Sequence, residues 1–288
     1  MTEDEDAPSR PWRDTLVRLL HHRLFLTGLV LFSIVLLAGL AAPWVAGADP
    51  SKIAMRFRFR PPSWQFPFGT DNFGRSLWSR VLWGAQLSMI IGVSVVVLNA
   101  IFGTVVGALA GYVRVLDKII MGFNDAMMAF PAVLLAIGIT AALGASVLNV
   151  IIALSIVYVP RTARIVRASV IVLRETEYVQ AAVAAGAGHW RILTRHIMPN
   201  ALAPLIVQLS FLFAYAVLTE STLSFLGLGA VPPTPTWGNI MADGRQYLTD
   251  APWIITIPGI ALMLTVLGLN LLGDGLRDVL DPRLRIQP

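Results

Sequence analysis

Few residues in this chain are of a type that does chemistry, and their spacing excludes most of the chemistry available to them. The four histidines, His21, His22, His189 and His196, form no H-E-x-x-H pair and stand beside no carboxylate at ligand spacing, so they read as interface side chains instead of zinc ligands. There is no cysteine, which removes disulfides, iron–sulfur clusters and thiolate metal sites. A P-loop needs a Gly-Lys pair before Ser or Thr. The only lysines are Lys52, after Ser51, and Lys118, after Asp117, so the chain does not hydrolyse ATP by that route. The string Gly186-Ala187-Gly188-His189-Trp190-Arg191 starts like a dinucleotide fingerprint but lacks the third glycine and follows no strand. Two carboxylates remain inside long apolar runs, Asp125 and Glu220. A charge at the centre of a bilayer costs at least about 2.5 to 3.5 kcal/mol, which makes both candidates for a pathway or gate. The competing reading pairs Asp125 with a nearby arginine and lets Glu220 cap or bond a neighbouring helix.

The elements that must position these residues are membrane helices. Charged residues are 14% of the 288 and apolar ones 56%, against about 25% charged in a soluble globule. Between Arg23 and Asp49 lie 25 uncharged residues, between Arg80 and Arg114 lie 33, between Asp125 and Arg161 lie 35, and between Asp250 and Asp274 lie 23. A spanning helix needs about 20 mostly apolar residues, so several are available and a soluble enzyme is excluded. The net charge of +5 is scattered between apolar runs and does not form the stripe a nucleic-acid binder needs. The pattern predicts an all-α polytopic fold with six spans, at about 24–46, 83–113, 119–143, 147–166, 199–225 and 253–272. The first run is too long for a signal-peptide core and ends in no small-residue cleavage site, so it reads as a retained helix. Gly103, Gly107 and Gly111 repeat every four residues, a stripe of small residues that lets a second helix approach closely.

Six spans put both termini on one side of the membrane. With the amino end inside, 15 basic residues fall on inner segments and 7 on outer ones, the sense of the positive-inside rule. The expected organisation is an inner tail at 1–23, the first span at 24–46, an outer loop at 47–82, a core of five spans at 83–276 and an inner tail at 277–288. The outer loop is basic and aromatic (Arg56, Phe57, Arg58, Phe59, Arg60, Trp64, Phe66) and reads equally as a contact surface or as ordinary loop packing. Asp71 within it is expected to cap a helix or turn. The later segment from Pro232-Pro233 to Trp237-Gly238 cannot be a helix interior and reads as a rigid hairpin in which Trp237 forms part of an outer gate.

The inner segment 174–200 is longer than a connector requires. Residues 175–185 are good helix formers, Gly186 suits a helix end, and a second short helix is expected from His189 to Ile197, stopped by Pro199. Acidic residues at its start (Glu175, Glu177) and basic ones at its end (Arg191, Arg195) suit the helix dipoles. A helix-turn-helix standing off the membrane reads as a docking element.

Here the sequence resembles a known family. Glu177-Tyr178-Val179-Gln180-Ala181-Ala182, then Gly186, then Arg195-His196-Ile197-Met198-Pro199-Asn200 resembles the EAA loop of ABC-importer permeases. Phe68-Gly69-Thr70-Asp71-Asn72-Phe73-Gly74-Arg75, Glu220-Ser221-Thr222-Leu223-Ser224-Phe225-Leu226-Gly227 and Asn270-Leu271-Leu272-Gly273-Asp274-Gly275, ending Asp281-Pro282-Arg283, are similar to the C-type permease of the dipeptide, oligopeptide and nickel group. The resemblance implies a type I ABC-importer transmembrane domain in the cell membrane and a peptide substrate, with nickel chelates or other small amino-acid derivatives as the alternative. It implies a heterodimer with a second, related permease, two cytoplasmic ATPases that carry the ATP and Mg, and an extracytoplasmic substrate-binding protein. The implied ATPase-coupling residues are Glu177, Tyr178, Ala181, Ala182, Gly186, Arg191, Arg195, His196 and Pro199. No catalytic, cofactor or metal residue is expected in this chain. Where the family usually has Glu, Arg and Ser, this sequence has Gln180, Val183 and Gly188.

Overall fold

The computed structural model describes residues 11–280. The acidic start of the amino-terminal tail and the ending Asp281-Pro282-Arg283 lie outside the described residues. Helix α1 (Pro11–His21) leads into α2 (Arg23–Leu40), which is followed by the single turn α3 (Ala42–Val45). After an irregular segment come α4 (Leu77–Tyr112), α5 (Arg114–Met128), α6 (Ala132–Leu143) and α7 (Val147–Arg174). Two short helices, α8 (Glu177–Ala184) and α9 (His189–Arg191), precede α10 (Met198–Phe225), α11 (Trp237–Gly244) and α12 (Trp253–Leu280). Among the described residues five helical stretches are long and apolar enough to cross a bilayer, and the bent pair α5–α6 makes a sixth when its two helices are taken together as one span. Among the described residues the only β pairing is an isolated bridge between Thr70 and Ser76.

Prolines account for most departures from the expected spans. The first run breaks at Ala41 because Pro43 has no N–H to donate and its ring would strike the carbonyl of Gly39. The third span is not one helix: α5 and α6 meet at 91°, with Pro131 at the break. Proline disfavours helical conformation in the residue before it, and that signal, plain in Phe130-Pro131, was outweighed by apolar length. Pro160 sits inside α7 without ending it, and α7 runs to Arg174, two turns past its expected limit. Pro199 does not stop the second loop helix either. Residues 189–225 are continuous, with a π-helical stretch at Ile192–Ile197 just before the proline. The wider π turn re-registers the hydrogen bonds where Pro199 supplies no donor.

Backbones approach closely along glycine stripes, as packing in lipid requires. A Cβ on Gly103 would fall 2.6 Å from the Cβ of Thr162, and one on Gly111 would fall 2.8 Å from the Cβ of Val170, while Gly107 faces Ala163 and Val166. The two number series rise together, so α4 and α7 run parallel, and the returning pair α5–α6 connects them. Gly28 against Leu272 and Gly275 against Phe25 rise in opposite senses, so α2 and α12 are antiparallel. These directions place Arg23, Arg114, Arg174, Arg191, Arg195 and Arg277 at one end of the bundle, the basic end, and residues 41–76 and 226–252 at the opposite end.

Candidate functional site

At the basic end the chain builds a small rigid hairpin. Helix α8 closes with the two hydrogen bonds of a Schellman motif: the amide of Gly186 donates to the carbonyl of Val183 (2.9 Å) and that of Ala187 to Ala182 (3.0 Å). Gly186 has φ +80°, a left-handed conformation that costs an L-residue roughly 1–2 kcal/mol, while the space a Cβ would fill is open. The hairpin is tied to the bundle from below. Val179, Ile192 and Ile197 are buried in one cluster with Val166, Val170, Ala108 and Leu205. Above them, Tyr178 donates its hydroxyl to the carbonyl of His196 (3.1 Å), and Asn200 donates to the Tyr178 hydroxyl (3.1 Å) and to that same carbonyl (2.8 Å). The Tyr112 hydroxyl meets Nδ1 of His189 at 2.8 Å. Gln180 donates to the carbonyl of Arg174 (2.8 Å), closing the end of α7; a glutamate has no N–H for this bond.

Of the nine residues expected to dock a partner, Glu177, Tyr178, Ala181, Gly186, Arg191, Arg195 and Pro199 are exposed, and Ala182 and His196 are half-buried. The structure brings them together on one hairpin. Val183 is exposed too, and Trp190 is 78% exposed, so the hairpin presents apolar as well as charged side chains.

The opposite end is held by buried ions. Asp71 is 0% exposed. Its Oδ2 accepts from Nε of Arg75 and from Nη1 of Arg80, both at 2.6 Å. Its Oδ1 accepts the backbone N–H groups of Phe73 and Arg75 at 2.9 Å. Asp243, on α11, accepts from the same two arginines at 3.1 and 3.2 Å. Asp71 thus does more than cap a turn: it ties the segment before α4, the start of α4 and α11 into one network of two carboxylates and two guanidiniums. The second span, expected from residue 83, begins instead at Leu77; compensation inside this network is what admits Arg80 to the first turn of α4. Ser76 caps that helix, accepting the amide of Ser79.

The three pathway or gate candidates do not converge. Asp125 pairs with Arg164 at 2.5 Å, both exposed, beside a second pair joining Asp117 and Arg167. Glu220 is 0% exposed and accepts hydroxyls from Ser88 on α4 (3.1 Å) and Ser224 (2.7 Å). Trp237 is fully buried and donates its indole N–H to the carbonyl of Val81 (3.1 Å), with Gly84 packed against its ring. Glu220 and Trp237 both lie where α4, α10 and α11 meet, one to two turns apart along α4. Among the described residues no group of three or more His, Asp or Glu side chains is placed to hold a metal ion.

Residues 103–286 match the family described as binding-protein-dependent transport system inner membrane component. The chain belongs to this family of inner-membrane permeases. Residues 10–62 further match the N-terminal transmembrane domain of oligopeptide transport permease C. The permease is 58% identical over 273 residues, 95% of its length and 92% of the relative's, to a Brucella abortus protein named for a peptide transport system permease. It is 43% identical over 284 residues to the dipeptide transport system permease protein of Alkalihalophilus pseudofirmus, covering 98% of this chain and 93% of that one. It is also 43% identical over 272 residues to the di/tripeptide transport system permease protein of Pseudomonas aeruginosa, covering 92% and 90%. The C-type resemblance and the multi-pass membrane architecture hold, and the permease is a transport component, not an enzyme.

Proposed function

We propose that this permease forms half of the translocation pathway of an ABC importer for short peptides, with the 174–200 hairpin as its ATPase-docking element. In this reading the basic end and both termini face the cytoplasm. A second, related permease completes the pathway, two cytoplasmic ATPases bind ATP and Mg, and an extracytoplasmic binding protein delivers the peptide to the opposite end. The names of the relatives support the substrate class. The observation that carries the coupling role is the hairpin itself: a helix end locked at Gly186 and seated on buried Val179, Ile192 and Ile197 transmits a push without bending, while its outer surface is left exposed. The π-helical run into α10 joins that surface directly to a span that carries Glu220 and reaches the outer gate. ATP-driven closure of the ATPases would draw the hairpin inward and, through α10, rearrange the far end.

Proteoliposomes containing both permeases and the ATPases, with the binding protein added outside, test this. Uptake should require ATP inside and the binding protein outside, and should survive an uncoupler at fixed ATP. Uptake without the ATPases, abolished by the uncoupler, would identify a stand-alone secondary carrier and overturn the proposal.

A further inference from the structure

Helix α1 leaves an aliphatic face uncovered. Leu16, Val17 and Leu20 are 48–55% exposed, and at 3.6 residues per turn they share one side of the helix. Arg18, also exposed, lies on the opposite side. Leu19 is buried, and α1 packs against α2 and α12.

The length of α2 fixes where α1 stands. Its 18 residues extend about 27 Å, no more than the roughly 30 Å of hydrocarbon that it must cross, so its first residue, Arg23, lies at the membrane surface. One residue earlier, His22 has extended backbone (φ −81°, ψ 114°), which turns the chain away from the axis of α2. Its Nε2 is 3.5 Å from Asp278, near the end of α12. Helix α1 is therefore attached at the surface, beside the ends of two spans. The environment on that side is lipid. Of the five long helical stretches α2 is the least buried, and the large side chains that it exposes, among them Leu24, Val30, Ile34 and Leu37, are aliphatic. The ATPase-docking hairpin is seated elsewhere, on α4, α7 and α10.

We infer that α1 lies in the plane of the membrane as a surface anchor, with Leu16, Val17 and Leu20 among the first acyl carbons, Arg23 at the phosphates of the same leaflet and Arg18 on the water side. Neither arginine has an ion-pair partner among the described residues, and a phospholipid phosphate offers Arg23 a charge-assisted hydrogen bond. An aliphatic side backed by a charged one is the pattern that enters the boundary between headgroups and acyl chains. Seated there, α1 holds the ends of α2 and α12 level with the bilayer surface. The inference needs α2 to span the bilayer and does not depend on what the permease carries.

Single spin labels on the assembled transporter, in vesicles of phosphatidylglycerol and phosphatidylethanolamine, test this. Leu16→Cys, Leu20→Cys and Arg18→Cys are labelled one at a time. Collisions with oxygen, which concentrates in acyl chains, are compared with collisions with a water-soluble nickel chelate. The labels at Leu16→Cys and Leu20→Cys should favour oxygen several-fold more than the label at Arg18→Cys, in the same sense as a label at Val30→Cys on α2. Adding Leu20→Glu should cancel most of that preference at Leu16→Cys, since the aliphatic side is what holds the helix down. Labels at Leu16→Cys and Leu20→Cys that favour the nickel chelate would place α1 in water, and labels shielded from both reagents would place it under another subunit. Either result overturns the anchor and leaves the importer reading intact. An oxygen preference at Leu16→Cys that survives Leu20→Glu would overturn it too, because protein contacts would then set the position of α1.

Discussion

The two ends of this permease are fastened by different forces. At the opposite end Asp71, Asp243, Arg75 and Arg80 form a network whose core is shut off from solvent. At the basic end the hairpin is held by three buried aliphatic side chains and a set of exposed hydrogen bonds from Tyr178, Asn200 and Gln180. Buried ion pairs demand fixed geometry, and losing one partner strands the other. Aliphatic contacts tolerate small displacements, and exposed hydrogen bonds exchange readily with water. The comparison teaches that the far end is built to keep three separate segments in register, while the hairpin rests on an aliphatic seat and continues into α10, the arrangement that the proposed coupling role requires.

The largest expected effect comes from breaking the ion network. Arg80→Ala leaves Asp71 and Asp243 undercompensated and should cost about 3–5 kcal/mol, read as a lower thermal unfolding midpoint in detergent and loss of accumulated protein. The paired replacement Asp71→Leu with Arg80→Met should cost less than the sum of the single changes, since neither charge is then stranded. Next comes the glycine stripe that joins the two ends through the bundle. Gly107→Leu forces α4 from α7 and should cost about 1–3 kcal/mol by overpacking, with the same readouts. At the hairpin, Gly186→Ala should introduce roughly 1–2 kcal/mol of strain from the positive φ alone, since a Cβ there meets nothing; local opening at the end of α8 relieves it, so the bundle's unfolding midpoint should move little. Its effect should fall on coupling: more ATP hydrolysed per peptide taken up. The smallest effect is expected at Glu220→Gln, where the amide keeps both serine contacts and the change should stay within about 1 kcal/mol.

Much of the architecture was legible because the bilayer imposes it: apolar runs of sufficient length, a glycine stripe at helical spacing, and arginines gathered at one end. The hairpin was legible for a different reason, since Gly186 after a run of helix formers is a local signal with a local cause. What apolar length concealed were the breaks, above all the 91° turn at Pro131. The ion network was hidden because its members come from distant parts of the chain: Asp71 and Arg80 are separated from Asp243 by more than 160 residues, and nothing local to either marks the partner. Pro199 misled in the other direction, since a π turn accommodates it inside a continuous helix.

The chain has no native cysteine, so single introduced thiols report position without background. The most direct measurement places one thiol on the hairpin, Val183→Cys, and one at the opposite end, Ile53→Cys, both at exposed sites, and treats the assembled transporter with a short bifunctional cross-linker. The proposed coupling predicts that Val183→Cys is captured by an ATPase subunit and that Ile53→Cys is not. Capture of an ATPase from Ile53→Cys, or from neither position in a complex that transports normally, would contradict it.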